Sequence, residues 1–365
     1  MPAPSYIDLA IRRQAILERV KSGQVKDFSK IVTDTEKLLR ATLGSLENEV
    51  SDMSRIQFEK LLKQIQEDQA AIFATATKKF LEAQAKIAVV TMTQELLDLG
   101  TTIDLTGTVL KDFTQKEIFS KVLARPLQTG TGQADLLEPW IKNFSDTQVR
   151  KTSQAIRFGR ANGETNQELV RKLVGTKKSK FTDGILSPGD GIVTKKMRRD
   201  ASTVVRTSTQ HVAQAARQET WEANPKIIKR YQFLATLDGT TSAICRALDR
   251  QEFDFGKGAI PPVHPNCRSD TIPVLSQKFK FLSNGRTRSS ADGYVNAEKT
   301  YYDWLKEQDA QTQLDVLGAK RAKLFTDGGL TPQRFKDLQF DKNFEPMTLE
   351  QMRKIVPEAF EKAGI

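Results

Sequence analysis

Residues 53–99 contain neither glycine nor proline. Apolar side chains recur there at Phe58, Leu62, Ile65, Ile72, Ala76, Phe80, Ala83, Ile87, Val90 and Leu97. Steps of three, four or seven lay one apolar stripe along a helix, because about 3.6 residues complete a turn. An unbroken helix of this length extends on the order of 70 Å at ~1.5 Å per residue. Residues 6–100 as a whole read as helical. Residues 28–50 supply a packing partner through Ile31, Leu38, Leu39, Leu43 and Leu46. Two arrangements suit the stripe. One is an ordinary helical hairpin; the other is a rod that docks on a large partner through Phe58, Leu62, Ile65 and Phe80.

Residues 100–132 are rich in Thr and Gly and read as a connector, with a short helix near 115–123. Helical pattern resumes at 136–144. Ser145 is expected to cap the next helix, which ends at Gly159. Asn162-Gly163 forms a turn, and Thr165 with Glu168 makes a capping box for a helix through Val174. Residues 197–221 form a long helix stopped by Asn224-Pro225. Tyr231, Phe233 and Ala235 then alternate with Arg230 and Gln232, which marks a strand ending at the Asp238-Gly239 turn. Residues 284–293 read as a polar break, and 298–307 and 311–325 as the last clear helices. The expected class is α+β and mainly helical. The expected divisions are a helical arm or docking region (1–132), a second domain with a small β element (133–283) and a C-terminal helical segment (284–365).

Charge adds one element to this picture. Lys plus Arg outnumber Asp plus Glu by 56 to 45, a net charge of +11. Such an excess favours polyanionic partners or acidic protein surfaces. Seven bases concentrate in 175–200: Lys177, Lys178, Lys180, Lys195, Lys196, Arg198 and Arg199. This stretch reads as an irregular loop able to contact phosphates without reading sequence, since it lacks a set of aromatics for base stacking. Two cysteines in 365 residues argue against a disulfide-stapled secreted scaffold. The N-terminal residues show no signal-peptide core, and no run approaches the roughly 20 apolar residues of a membrane span.

The chemistry concentrates in residues 237–273. Both cysteines, Cys245 and Cys267, lie there with His264, one of two histidines. Pro261, Pro262 and Pro265 put His264 and Cys267 on a stiff, extended path. Cys245, His264 and Cys267 offer three metal ligands where a structural zinc site normally has four. Asp238 or Asp270 would be a weaker fourth. A buried pair of free cysteines, with His264 bonded to a turn carbonyl, fits this composition better than zinc. A Cys245–Cys267 disulfide is the remaining alternative. A cysteine nucleophile would need an orienting acid behind His264, and none is evident. An HNH-type nuclease would need a second histidine nearby, and His211 lies on another helix. Asp249, Glu252 and Asp254 have no evident pairing, and no P-loop or HExxH motif occurs.

Asp238, Ser242, Cys245 and Leu248, followed by PPVHPNCRS at 261–269 and Ile272-Pro273, resemble the core signature of the phage Mu F-like minor head proteins, or phage head morphogenesis proteins. The family pattern carries Cys-x-x-Cys after the aspartate and Cys-Arg-Cys after His-Pro-Asn. Here Ser242 and Ser269 occupy the outer positions, while Cys245, His264 and Cys267 match. Thr300, Tyr301, Trp304, Leu305, Gln308, Leu317, Gly318, Arg321, Leu324 and Gly328 resemble the family's C-terminal segment. Residues 198–219 resemble the helix before the signature. The resemblance runs from about 145 to about 330. It implies a non-enzymatic virion protein, present in few copies near the portal. Its expected roles are head assembly and the handling of packaged DNA, with the portal and other head proteins as partners. Asp238, Cys245, His264, Pro265, Asn266, Cys267 and Arg268 would then be structural signature residues. An internal DNA-ejection protein and a zinc-dependent nuclease are the alternatives.

Overall fold

The computed structural model describes residues 5–130, 133–175, 194–279, 287–342 and 344–365. Serine and threonine start most of its long helices. Ser5 opens α1 (Tyr6–Phe28) and Ser54 opens α3 (Arg55–Thr102), each with a capping box. Between them lies α2 (Lys30–Gly44). Thr114 caps α4 (Gln115–Ala124), and a small hairpin follows, β1 (Leu127–Gly130) with β2 (Gln133–Asp135). Next come α5 (Leu137–Ala161), α6 (Asn166–Val174) and α7 (Thr194–Glu222). The Thr165–Glu168 box caps α6, as its spacing predicts.

The long central helix forms, and its 48 residues extend about 70 Å at ~1.5 Å each. Its surroundings differ from the rod expected to dock on a partner. Phe58, Leu62, Ile65 and Phe80 are at most 5% exposed. They are covered by the chain itself, because α1 and α2 fold back along α3 while α5 and α7 close its other sides. Phe28 of α1 and Phe144 of α5 meet Phe80 and Phe73 of α3 at ring-centroid distances of 5.2 and 5.8 Å. The buried seam also departs from the expected stripe after Ile65. It runs through Gln69, Phe73, Phe80, Gln84, Ala88, Met92, Glu95 and Leu99, whereas Val90 and Leu97 face outward. Gln69 Nε2 donates to Thr152 (3.2 Å) and Gln84 Nε2 to Gln24 (2.5 Å), while the two amide oxygens stay without a hydrogen-bond partner.

One apolar core runs from Phe28 of α1 through α7 to Ala216. The boundary expected near residue 132 therefore does not separate two cores. Ser145 is not a cap either. It lies inside α5, where its hydroxyl donates to the Ile141 carbonyl (3.3 Å).

After α7, the central strand β3 (Ile228–Leu234) is flanked antiparallel by β4 (Glu252–Asp254) and β5 (Asp270–Leu275). The register places Tyr231 opposite both Phe253 and Pro273. Between β3 and β4 sits α8 (Ala243–Leu248). The stretch read as a polar break instead holds a hairpin, β6 (Thr287–Ser290) and β7 (Gly293–Asn296), turned at Ala291-Asp292. Gly293 has φ +114°, a conformation costly for any residue with a Cβ. The C-terminal part has a core of its own, built on Tyr301, Tyr302, Trp304, Phe325, Phe335 and Phe360. It is formed by α9 (Tyr301–Lys306), α10 (Ala310–Leu317), α11 (Ala319–Asp327), α12 (Pro332–Asp337), α13 (Leu349–Ile355) and α14 (Pro357–Ala363). The fold is thus α+β and mainly helical.

Three expectations follow from this packing. Phe73→Ala should lower stability by roughly 3–5 kcal/mol, the usual range for a buried Phe-to-Ala change. Charging the seam with Phe58→Glu and Ile65→Lys should abolish cooperative unfolding, read from urea melts followed by circular dichroism. The third concerns His211, which is buried in α7 against α4. Burial pushes its imidazole down to about 4, although a hydrogen bond to the Val122 carbonyl opposes this. As pH falls from the ordinary value of 6.5 toward 4, only the unfolded chain takes up the proton. Stability from this group is therefore intact above 6.5 and lost below it. The loss is up to about 3 kcal/mol at ~1.36 kcal/mol per pH unit. His211→Gln should flatten this limb, as measured by urea midpoints at about pH 7 and about pH 4.5.

Candidate functional site: a thiol–imidazole cluster at the signature

The Ser242 hydroxyl accepts from the Cys245 backbone N–H (3.4 Å), which starts α8 and turns Cys245 inward. Across from it runs the 261–268 segment, with a cis Pro261–Pro262 bond. The Cys267 N–H donates to the His264 carbonyl (3.2 Å), closing a tight turn over His-Pro-Asn-Cys. Asn266 within that turn has φ +59°, a conformation asparagine tolerates better than most residues. Its backbone N–H donates to Thr207 Oγ1 (3.0 Å) and its Nδ2 to Thr203 Oγ1 (3.2 Å). The turn is therefore clipped onto α7.

This arrangement brings Cys245, His264 and Cys267 together. Cys245 Sγ lies 3.3 Å from His264 Nε2 and 3.6 Å from Cys267 Sγ, and both cysteines are free. Among the described residues this is the group of three such ligands that converges, all within 4.8 Å. Both thiols are 1% exposed, whereas His264 is half-buried. His264 Nδ1 lies 2.8 Å from the Pro265 carbonyl. A carbonyl only accepts, so Nδ1 carries the proton of that bond. The cluster is electrically polarised. A hydrogen bond to Cys267 and burial together push the Cys245 thiol up. Burial opposes ionisation of Cys267, but hydrogen bonds from Cys245 and His264 outweigh it and hold its pKa well below the usual thiol range. Burial disfavours the His264 imidazolium too, yet Cys267 and the Pro265 carbonyl raise its pKa.

The supporting residues form two clamps. In the first, Arg268 donates in bidentate fashion to Asp238, at 2.6 and 2.9 Å. Burial would raise the Asp238 pKa, but Arg268 holds it down. In the second, α7 presents a polar face to the start of β5. Gln210 Nε2 donates to the Ser269 carbonyl (2.7 Å), Gln214 Nε2 to Asp270 Oδ1 (2.6 Å), and Gln218 Nε2 to Thr271 Oγ1 (3.4 Å). Arg217 pairs with Asp270 from the same face.

The expected fourth ligands are thus committed elsewhere: Asp238 to Arg268, and Asp270 to Gln214 and Arg217. Near Cys245 stand Ser242 and Ser269 instead, and both lower its thiol pKa against the larger upward push of Cys267 and burial. His211 faces Val122 and does not join the cluster. Asp249, unpaired in the sequence reading, is fully buried. It accepts from Arg288 at 3.0 and 3.1 Å and from the backbone N–H groups of Ala235 and Tyr301, both at 2.8 Å. Sequence reasoning missed this residue because its partner lies 39 positions away. The sole signal was Tyr301 in the C-terminal motif, and its hydroxyl also donates to the Asp238 carbonyl (2.8 Å).

Of the basic residues, Lys177, Lys178 and Lys180 lie outside the described residues. Lys195, Lys196, Arg198 and Arg199 stand on the opening turns of α7 and not on an irregular loop. Arg198 pairs with Glu36 (3.5 Å). Arg199 lines a cavity of about 320 Å³ with Lys21, Arg206, Asn266 and Arg268, next to the signature turn.

The cluster has parts that nucleophilic catalysis requires, a depressed thiol beside an imidazole held by a carbonyl. It also has a feature that catalysis does not want, since Cys267 is 1% exposed. No helix among the described residues is long and apolar enough to cross a membrane. No curated protein and no solved structure shows significant similarity to the chain. Residues 148–272, from within α5 to the middle of β5, match the family model described as Phage Mu protein F like protein, and this match supports a phage head morphogenesis protein.

Proposed function

We propose that this chain is a minor head protein that assembles near the portal and contacts packaged DNA through backbone phosphates. The observation that carries this reading is the Phage Mu F-like match over α6, α7, β3 and the signature. Burial of both thiols supports a structural role for the cluster. The basic cavity lined by Lys21, Arg199, Arg206 and Arg268 supports contact with an anionic partner, although Glu18 offsets part of its charge. With Phe58, Leu62, Ile65 and Phe80 buried in the monomer, docking on the head falls to another surface.

Purified heads should contain the chain at low copy number, and the chain should co-purify with the portal protein. Presence throughout the shell in stoichiometric amount would contradict the reading. Passage into the host with the DNA would favour the ejection alternative. DNA contact is expected to be electrostatic. Each neutralised phosphate adds about 0.9 to the salt slope on duplex DNA. Replacing Lys177, Lys178, Lys195, Lys196 and Arg199 by Gln should therefore lower that slope by up to about 4.5 and weaken two unrelated duplexes alike. A strong preference for one duplex, or no binding at low salt, would remove DNA from the list of partners.

A further inference from the structure

We propose that Cys245, His264 and Cys267 form a three-ligand site for a thiophilic divalent cation, zinc in biological use, with a fourth vertex beside Ser269 and Ser242. The first argument is metric. Two thiolates each ~2.3 Å from a tetrahedral ion stand about 3.8 Å apart, and a thiolate and an imidazole nitrogen about 3.5 Å apart. Here the sulfurs are 3.6 Å apart and Cys245 Sγ is 3.3 Å from Nε2. The same separation is far beyond the ~2.05 Å of a disulfide. The two edges from Cys245 thus have about the lengths that coordination sets, and the third is at most 4.8 Å.

The second argument is the histidine. Its Nδ1 proton is committed to the Pro265 carbonyl, so Nε2 is the nitrogen that faces the sulfurs and the one an ion would take. Metal-bound histidines are oriented in the same way, with the remote nitrogen anchored on a carbonyl or carboxylate. The third argument is scaffolding. Cys267 and His264 sit on one proline-stiffened turn clipped to α7, and Cys245 sits on α8 under its Ser242 cap. Three ligands on stiff backbone lose little freedom on binding.

The fourth vertex gives the site its character. Serine is a weak zinc ligand, so a water completes the tetrahedron, or a hydroxyl of Ser242 or Ser269 does. Coordination displaces the thiol proton of Cys245 and leaves an ion held by three protein ligands, hence exchangeable. A fourth thiolate at residue 269 would close the set, because Ser269 is buried two residues from Cys267 at the start of β5.

The test uses the reduced full-length chain and cobalt(II), which reports thiolate ligation by a charge-transfer band in the near ultraviolet. One cobalt per chain should bind with that band, and zinc should displace it. Cys267→Ser should cut the band to roughly half, the share of the one remaining thiolate, and His264→Ala should weaken binding by at least about tenfold. Ser269→Cys should tighten binding by at least about tenfold and intensify the band. The wild-type titration and the Ser269→Cys gain do not depend on a destabilised variant. A reduced, folded wild type that shows no charge-transfer band at saturating cobalt would overturn the site. So would a Ser269→Cys variant that binds no more tightly than wild type, or isolation of the chain with a Cys245–Cys267 disulfide. The outcome is independent of whether the chain enters phage heads.

Discussion

A single buried guanidinium joins the helical body to the signature sheet. Arg217 of α7 is 2% exposed and lies between Glu95 of α3, 3.3 Å from its Nε, and Asp270 at the start of β5. Its partners are themselves held. The Trp221 indole N–H (2.7 Å) and the Tyr6 hydroxyl donate to Glu95, and Arg13 of α1 stands 3.4 Å from it. Burial still pushes the Glu95 carboxyl up to about 7, against the pull of Arg217. Exchanging such a network for apolar residues can be neutral, but removing one partner strands a buried charge at a cost of about 3–5 kcal/mol. The network therefore acts as a registration device more than as a source of stability. α1, α3, α7 and β5 have one mutual arrangement that satisfies it, and Ser269, Cys267 and His264 follow directly from where β5 begins.

What the sequence made legible divides along a physical line. Caps and turns were legible because they are local: Thr165 with Glu168 and the stop at Asn224-Pro225 need only neighbours within four residues. The convergence of Cys245 with His264 and Cys267 was legible from the resemblance and from the proline-fixed path. The buried seam of α3 was legible only while it stayed apolar. Beyond Ile65 it uses Gln69, Gln84 and Glu95, which pattern reading assigns to solvent, so Val90 and Leu97 were wrongly placed inside. The α7 face was hidden for the same reason. Gln210, Gln214, Arg217 and Gln218 look like a solvated stripe, and only the presence of β5 turns them inward. Ser145 failed as a cap because α5 had already begun at Leu137 and tolerates an inward serine bonded to the preceding turn.

The signature lies where two cores meet. Towards the N-terminus it leans on α7 through Thr203, Thr207 and Gln210. Towards the C-terminus it meets the α9 region through Asp249, which holds Arg288 and the Tyr301 backbone together, and through the Tyr301 hydroxyl on Asp238. Lys336 of α12 adds a bond from its Nζ to the Asp249 carbonyl (2.6 Å). The family match ends at Ile272, yet the residues that fix the far side of the signature come from beyond that point. The motif at 300–305 thus has a mechanical reason to accompany the 261–269 run: each supplies partners that the other leaves buried and incomplete.

Between the two large cores the signature has only a small apolar cluster of its own, built from Phe233, Ala235, Cys245, Leu248, Val263 and Cys267. So few side chains bury little apolar area, and at roughly 25 cal/mol per Å² such a cluster does not hold a loop against its chain entropy unaided. The proline path lowers that entropy in advance, and the Arg268–Asp238 fork together with Asn266 on α7 fixes its C-terminal end. Two thiols and an imidazole in the middle complete the arrangement without requiring a large core. A small, polar-clamped element of this kind holds its shape through specific directional contacts and not through bulk burial. That suits a segment whose geometry must be reproduced in every copy of an assembly, because directional contacts are satisfied in one conformation whereas apolar packing alone tolerates several.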